Sequence, residues 1–561
     1  MRSFGLRPPA GLALRGIAAM LMMAWGGGAA AVEFDTGNPD MKVRLDNTVR
    51  YNLGVRTNSP DQRILNNSTY DESDSKFGRG DVVTNRLDLF SEFDVNYRSL
   101  FGLRVSGAAW YDQAYDDHSV HTVAPGFASS YVGDRYNHKV SRFVNGPSGE
   151  ILDAFVWANV KLGTTPLNAK LGRQTNYFGE GLLIPAHAIS YSQSPVDGVK
   201  AVTSPGIETK EVFLPVSQLF LKSQVTPELT LMAQYFLDWK ESRLPYGGTF
   251  FAPADPFFEG PDRLPVAPNG ATLSHADSIK PDRRGNWGIG AKLNVEALES
   301  AFGAYYRQFD DYNPWFGPNL TQFVTIPGVG TVPTAYRLVY PKNVKMLGFS
   351  AGKVVGPISA AADLAYRKNG ALNAAGVSPL DNEGPRGDTL HAVVNGVYLL
   401  PATKFWDTGS FIAELAYNRL LKVTKHADLY KGVGYQSCTA PDGKPGGRSD
   451  DCSTKDYAAI ALLMTPQYLQ VLPSWDLEVP VSLNYGLSGN AASSGGGSGK
   501  ALSWSIGAKM TYAQRYEFSL QYADSNARTK YDASGTTVIG GAGSVGTTDR
   551  NWLVFTVKAG F

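Results

Sequence analysis

The stretch KVRLDNTVRYNLGVR, from Lys42 to Arg56, separates into two series when every second residue is read. One series is Val43, Leu45, Asn47, Val49, Tyr51, Leu53 and Val55; the other is Lys42, Arg44, Asp46, Thr48, Arg50, Asn52, Gly54 and Arg56. Successive side chains of a β-strand point to opposite faces, so an extended chain here has one apolar and one charged surface. The alternation returns at 86–98, where Leu87, Leu89, Ser91, Phe93, Val95 and Tyr97 oppose Arg86, Asp88, Phe90, Glu92, Asp94, Asn96 and Arg98. Further segments of this kind occupy 229–239, 390–400 and 477–485. Their length of about 9–15 residues suits a tilted strand crossing a bilayer, whereas strands of soluble sheets run nearer about five or six.

The connections decide between a membrane barrel and a soluble sandwich. Tight turns at 98–102, 163–166, 226–228, 356–357 and 513–514 alternate with long stretches rich in Gly, Asp, Asn and Pro. The long ones run to Gly149, to Pro215, and over 241–285, 310–342, 368–387, 419–456 and 525–549. Short turns at one end and long loops at the other are the topology of outer-membrane barrels, with the turns periplasmic and the loops outside. Lipid offers no water to strand edges, so the sheet must close. The expected fold is therefore all-β: one closed antiparallel transmembrane β-barrel of about 18 strands, with 16 the next choice, over residues 32–561. The last strand carries Leu553, Phe555, Val557, Ala559 and a terminal Phe561 on one face. That ending resembles the signal read by the outer-membrane barrel assembly machinery, which enters as an expected partner beside outer-membrane lipid.

Composition agrees. Basic and acidic residues nearly cancel at 52 and 51, so the strongly basic footprint of a nucleic-acid binder is missing. Arg2, Arg7 and Arg15, the apolar run Gly16–Trp25 and the small residues Ala29 to Ala31 read as a signal peptide over 1–31, cleaved after Ala31. The apolar run falls short of the ~20 residues of a spanning helix. Cys438 and Cys452 lie close together in a Gly/Pro/Asp-rich stretch, and in an oxidising compartment such a pair is expected to form a disulfide stapling a surface loop.

Several stretches resemble a family of proteobacterial outer-membrane proteins called domain of unknown function 1302. They are FDTGNP at 34–39, RLDNTVRY at 44–51, NRLDLFSEFD at 85–94 and VSGAAWYD at 105–112. LGR at 171–173, YFGE at 177–180, SPVD at 194–197, Leu472-Pro473 and the final strand continue the likeness. The resemblance implies an outer-membrane barrel and brings no substrate and no functional residues.

The inward series of the early strands holds Lys42, Arg44, Arg50, Arg56, Arg86, Asp88, Glu92, Asp94, Arg98, Arg104 and Asp112, expected to share one sector of the wall, with Lys170 and Arg173 expected to join them. Such charges either set a field that sorts solutes by sign or pair across strands and stiffen the wall. The loop 174–212 stands out because Leu182, Leu183, Ile184 and Pro185 are too apolar for a solvated tip, while Arg173, Glu180, Asp197 and Lys200 bracket them. It is expected to fold into the barrel as a constriction; packing over a neighbouring loop as a lid is the alternative. His118-Ser-Val-His121 sits in a loop beside Asp116 and Asp117 and reads as solvated surface, and only His391 falls clearly within a strand, facing inward. No cofactor, metal or catalytic residue is assigned. The resulting expectation is a porin-like channel for passive or facilitated passage of a small organic or hydrophobic solute. A non-conducting surface-binding barrel and a polysaccharide export pore are the alternatives.

Overall fold

Strand pairing closes the sheet on itself. In the computed structural model, which describes residues 32–256 and 258–561, Met41–Arg56 (β1) pairs antiparallel with Val82–Tyr97 on one side and with Trp552–Gly560 on the other. The leader expected over 1–31 lies outside the described residues. The sheet contains twenty strand segments. Val32–Phe34 is a short addition to β1, and Trp475–Glu478 and Val481–Ser488 are two halves of one strand, which leaves eighteen around the barrel among the described residues.

In chain order the wall continues with β2 (Val82–Tyr97), β3 (Phe101–Asp112), β4 (Ser148–Leu162), β5 (Thr165–Gln174), β6 (Val216–Gln224) and β7 (Leu229–Phe236). Then come β8 (Trp287–Val295), β9 (Ser300–Phe309), β10 (Val344–Val355), β11 (Ile358–Ala371), β12 (Arg386–Leu399) and β13 (Thr408–Lys425). The wall ends with β14 (Asp456–Leu472), the interrupted β15 (Trp475–Glu478 and Val481–Ser488), β16 (Leu502–Tyr512), β17 (Tyr516–Asn526) and β18 (Trp552–Gly560). The break in β15 falls at Val479 and Pro480. Proline has no N–H to give the ladder, and the strand bridges the gap by donating from Val479 to the Pro466 carbonyl.

Connections alternate as the sequence predicts. Gly163-Thr164 joins β4 to β5, with Gly163 at φ 65°, and Gly356-Pro357 joins β10 to β11. At the other end β3 reaches β4 only after residues 113–147, and β5 reaches β6 only after 175–215. One series of each strand meets the surroundings: Leu87, Val156, Leu171, Ile289, Val394 and Leu520 are exposed large apolar side chains. An exposed greasy belt on a closed barrel is stable only in lipid, so this is an outer-membrane barrel.

The inward series is less uniformly wet than its sequence suggests. Phe90, Trp110 and Leu152 face the lumen and are buried with Leu214 of the β5–β6 connection. A second apolar cluster joins Phe77, Tyr115, Tyr131, Tyr136, Tyr246 and Phe250, contributed by the long loops. These loops close over the outer mouth and fill much of the interior.

Candidate functional site

The β5–β6 connection, residues 175–215, runs through the lumen and touches both sides of the wall. Burying a loop is costly because its backbone N–H and C=O groups need partners away from water. Here the wall supplies them through charged side chains. The Asp363 carboxylate on β11 accepts from the N–H groups of Glu180 at 2.9 Å, Gly181 at 3.2 Å and Ile189 at 3.1 Å. Glu414 on β13 accepts from Leu182 at 2.6 Å, Leu183 at 2.8 Å and Ile184. The Arg307 guanidinium on β9 donates to the carbonyls of Ile189, Tyr191 and Ser192, and Arg367 on β11 donates to Ala188.

The apolar tip then rests on a buried imidazole pair, His187 and His391. His187 Nε2 lies 2.8 Å from the Gly496 carbonyl, which can only accept, so that nitrogen carries the proton. A neutral His187 therefore accepts at Nδ1 from His391 Nδ1, 2.9 Å away, while the Thr389 hydroxyl lies 2.8 Å from His391 Nε2. His391 faces inward as its parity predicts.

The second half of the connection turns to the opposite wall. Asp197 accepts from the Lys200 N–H at 3.0 Å and caps the short helix Gly198–Thr203. Lys200 Nζ reaches Glu150 of β4 at 2.9 Å, and Arg243 bridges Glu150 and Asp197. Ser204 donates to Asp88 at 2.8 Å; Glu211 takes both guanidinium ends of Arg50 at 3.1 Å each; Lys210 pairs with Glu92. The early-strand charges are thus matched to the loop or to each other: Arg86 to Asp88 at 3.0 Å, Arg104 to Asp94 at 2.7 Å, and Arg44 to Asp46 at 2.7 Å near the periplasmic rim. Glu180 sits inside the barrel against Lys292 at 2.7 Å.

Two expected members of this sector lie elsewhere. Arg173 follows Leu171 on the outward series, opposite Ala154 and Ser217, and donates to the Ile151 carbonyl. Lys170 and Arg173 lie three positions apart, an odd offset, so one regular strand cannot turn both inward. Arg98 lies in the β2–β3 turn and pairs with Asp40 rather than lining the wall. The sequence reading passed over Arg307, Asp363, Arg367 and Glu414. Arg307 and Glu414 are each flanked by small or apolar residues on the inward series of their strands, and Asp363 and Arg367 share the inward series of β11 with only Ala365 between them, after the run Ala360-Ala361-Ala362; a charge set among such neighbours is the signal that marks them.

Because the inserted segment leans on β9–β13 and on β1–β4, space remains along the rest of the wall. A cavity of 630 Å³ lies between residues 201–207 and the inner face of β14–β17. Outside it, a vestibule of 730 Å³ is bordered by Tyr70, Asn373, Lys431, Asp450, Asn490 and Lys530. The Cys438–Cys452 disulfide, with Cα atoms 5.6 Å apart, ties the loop that carries the Asp450 side of this mouth.

A family model described as "Protein of unknown function (DUF1302)" matches residues 12–561. No curated protein matches the chain. Among solved structures, OpdK of Pseudomonas aeruginosa with vanillate is 10% identical, with a TM-score of 0.38, over 92% of this chain and 98% of its own. A BenF-like porin from Pseudomonas fluorescens Pf-5 is 8% identical at 0.39, again over 92% and 98%. The outer-membrane channel DcaP of Acinetobacter baumannii is 12% identical at 0.35, over 95% and 100%.

Proposed function

We propose, from the premise that this chain belongs to the DUF1302 family, that it is a channel of the outer membrane whose lumen the segment 175–215 narrows to one side. The observation that carries this reading is the pairing of that segment with both walls, through Asp363 and Glu414 on one side and Arg50, Glu92 and Glu150 on the other. A loop held at so many points is a fixed constriction, and it leaves the β14–β17 side open to a small solute. Nine of the charges singled out in the sequence act mainly through this fixation: Arg50, Asp88, Glu92, Glu180 and Asp197 hold the constriction, and Arg44, Arg86, Asp94 and Arg104 brace the wall beneath it, while Arg173 faces outward and takes no part.

Planar-bilayer recording tests the reading. The purified barrel is expected to give discrete conductance steps, and replacing residues 198–212 by a short Gly-Ser link is expected to raise the step size severalfold. A barrel silent in both forms would refute it.

A second reading is favoured by the depth of the outer cap. Helix Asp71–Ser75 has four buried residues, Asp71 to Asp74, beneath the long loops. A cap so firmly closed would suit a non-conducting barrel that binds a partner at its outer surface, and the same recordings separate the two.

A further inference from the structure

The two sides of the lumen differ in charge. On β1–β4 every inward ion reached by the inserted segment is already paired, and residues 198–212 cover that sector. Across the 630 Å³ cavity, the inward series of β15–β17 presents Ser482, Asn484, Ser503, Ser505 and Gln521. These are hydroxyls and amides without formal charge. They are joined in a short ladder in which Ser482 and Ser505 lie 2.7 Å apart and Gln521 donates to Ser505 at 2.7 Å. The facing surface is greasy: Leu183, Ala201, Ile207, Phe250 and Phe251. Two ionic residues border the cavity, and neither presents a free charge to it. Arg550 donates to the Phe250 and Ala252 carbonyls and lies 3.3 Å from Asp74, while Asp524 stands on the outward series of β17 opposite Trp504.

We infer that this cavity is a selection site for an uncharged solute with an apolar body and a hydroxyl- or amide-bearing edge. The inference rests on the channel reading and narrows its substrate class. An ion entering the cavity would shed water and meet no counter-charge, which is costly. A neutral amphiphile would exchange water hydrogen bonds for those of the ladder on one edge and bury its body against Phe250 and Phe251 on the other. The volume falls within the range of about 300–1,000 Å³ typical of small-molecule sites. Charge-selective pores line their constrictions with ionised side chains instead.

Phenyl β-D-glucoside and phenyl β-D-glucuronide form a suitable probe pair, because they differ only in a hydroxymethyl against a carboxylate. Binding to the barrel in lipid nanodiscs and flux into proteoliposomes are measured for both, and for the 6-amino-6-deoxy analogue as a cation. The glucoside is expected to bind and pass at least about tenfold better than either ion. Ser505→Asp is expected to admit the ammonium analogue while Ser505→Asn keeps the neutral preference. Ala461→Trp, or Leu463→Trp should the first not fold, is expected to abolish binding by filling the cavity. Equal or better binding of the glucuronide, failure of the glucoside to bind, or binding unchanged in the folded tryptophan variant would each overturn the inference. Flux without charge preference would leave the channel standing and remove this site; binding without flux would leave the site and remove the channel.

Discussion

Glu414 sits alone among alanines, leucines and aromatics in β13, fully buried, and its single carboxylate serves the backbone of Leu182, Leu183 and Ile184. An ionised carboxylate accepts several N–H bonds at once, which a neutral side chain cannot match. Removing it by Glu414→Ala would strand three donors, the buried Ile184 N–H at a cost of about 1–3 kcal/mol and the part-buried ones of Leu182 and Leu183 at less. Glu414→Gln retains one acceptor oxygen and should cost less. Hydrogen exchange over residues 180–190 checks this: the expected order of exchange rates is alanine variant, then glutamine variant, then the unaltered protein, with β13 itself unchanged. Equal protection in all three would show that the segment is held by packing alone. Asp363 is the internal comparison, since it performs the same service for Glu180, Gly181 and Ile189.

At the scale of elements, the strands were legible and most of the site was not. Period-two alternation in 42–56 and 86–98 follows directly from a wall with lipid on one side, and it survives into β1 and β2 as written. The inward course of 175–215 was legible too, because Leu182-Leu-Ile-Pro185 has no stable place in water. What stayed hidden is the identity of the partners. Arg50 meets Glu211 across 161 positions and Leu182 meets Glu414 across 232, separations for which local pattern carries no signal. Arg173 was misplaced for a local reason, a parity error of one residue. The disulfide was readable from spacing and context, and its effect should be confined to its own element. Its two cysteines are 14 positions apart, and closing a loop of that size stabilises by about 3 kcal/mol in the chain-entropy account. Reduction is therefore expected to speed trypsin cleavage at Lys431 and Arg448 while leaving the heat-modifiable migration of the barrel intact. Loss of the barrel form on reduction would contradict that confinement.

The whole molecule couples these parts through its outer cap. Asp71, Glu72, Asp74, Asp255 and Asp549 converge there on two cations: Arg56 lies 2.7 Å from Asp74 and 3.1 Å from Asp549, and Arg550 lies 3.3 Å from Asp74. Asp255 accepts from the N–H groups of Glu72 and Ser73, Asp71 from those of Val123 and Ala124, and Glu72 from that of Ser130. Acid outnumbers base in this buried cluster, and burial pushes the Glu72 carboxyl up from its ordinary 4.5 to about 7, with Asp71 and Asp255 raised for the same reason. The sign follows from proton linkage. Between 4.5 and about 7 the closed cap holds a proton that an opened cap releases, so closure is strongest below that window and weakens as pH rises through it. Tyr70 and Ala254, neighbours of these carboxylates, border the vestibule, so loosening the cap is expected to widen that vestibule. Two measurements should move together between pH 5 and pH 8: exchange protection of residues 71–75, corrected for intrinsic rate, should fall, and open probability in planar bilayers should rise. Glu72→Gln, which cannot ionise, should make both profiles shallower, the remaining slope coming from Asp71, Asp255 and Asp549, which burial also raises. Protection that grows with pH would place the control of opening outside this cluster, and a conductance that tracks pH equally in the glutamine variant would remove Glu72 from it.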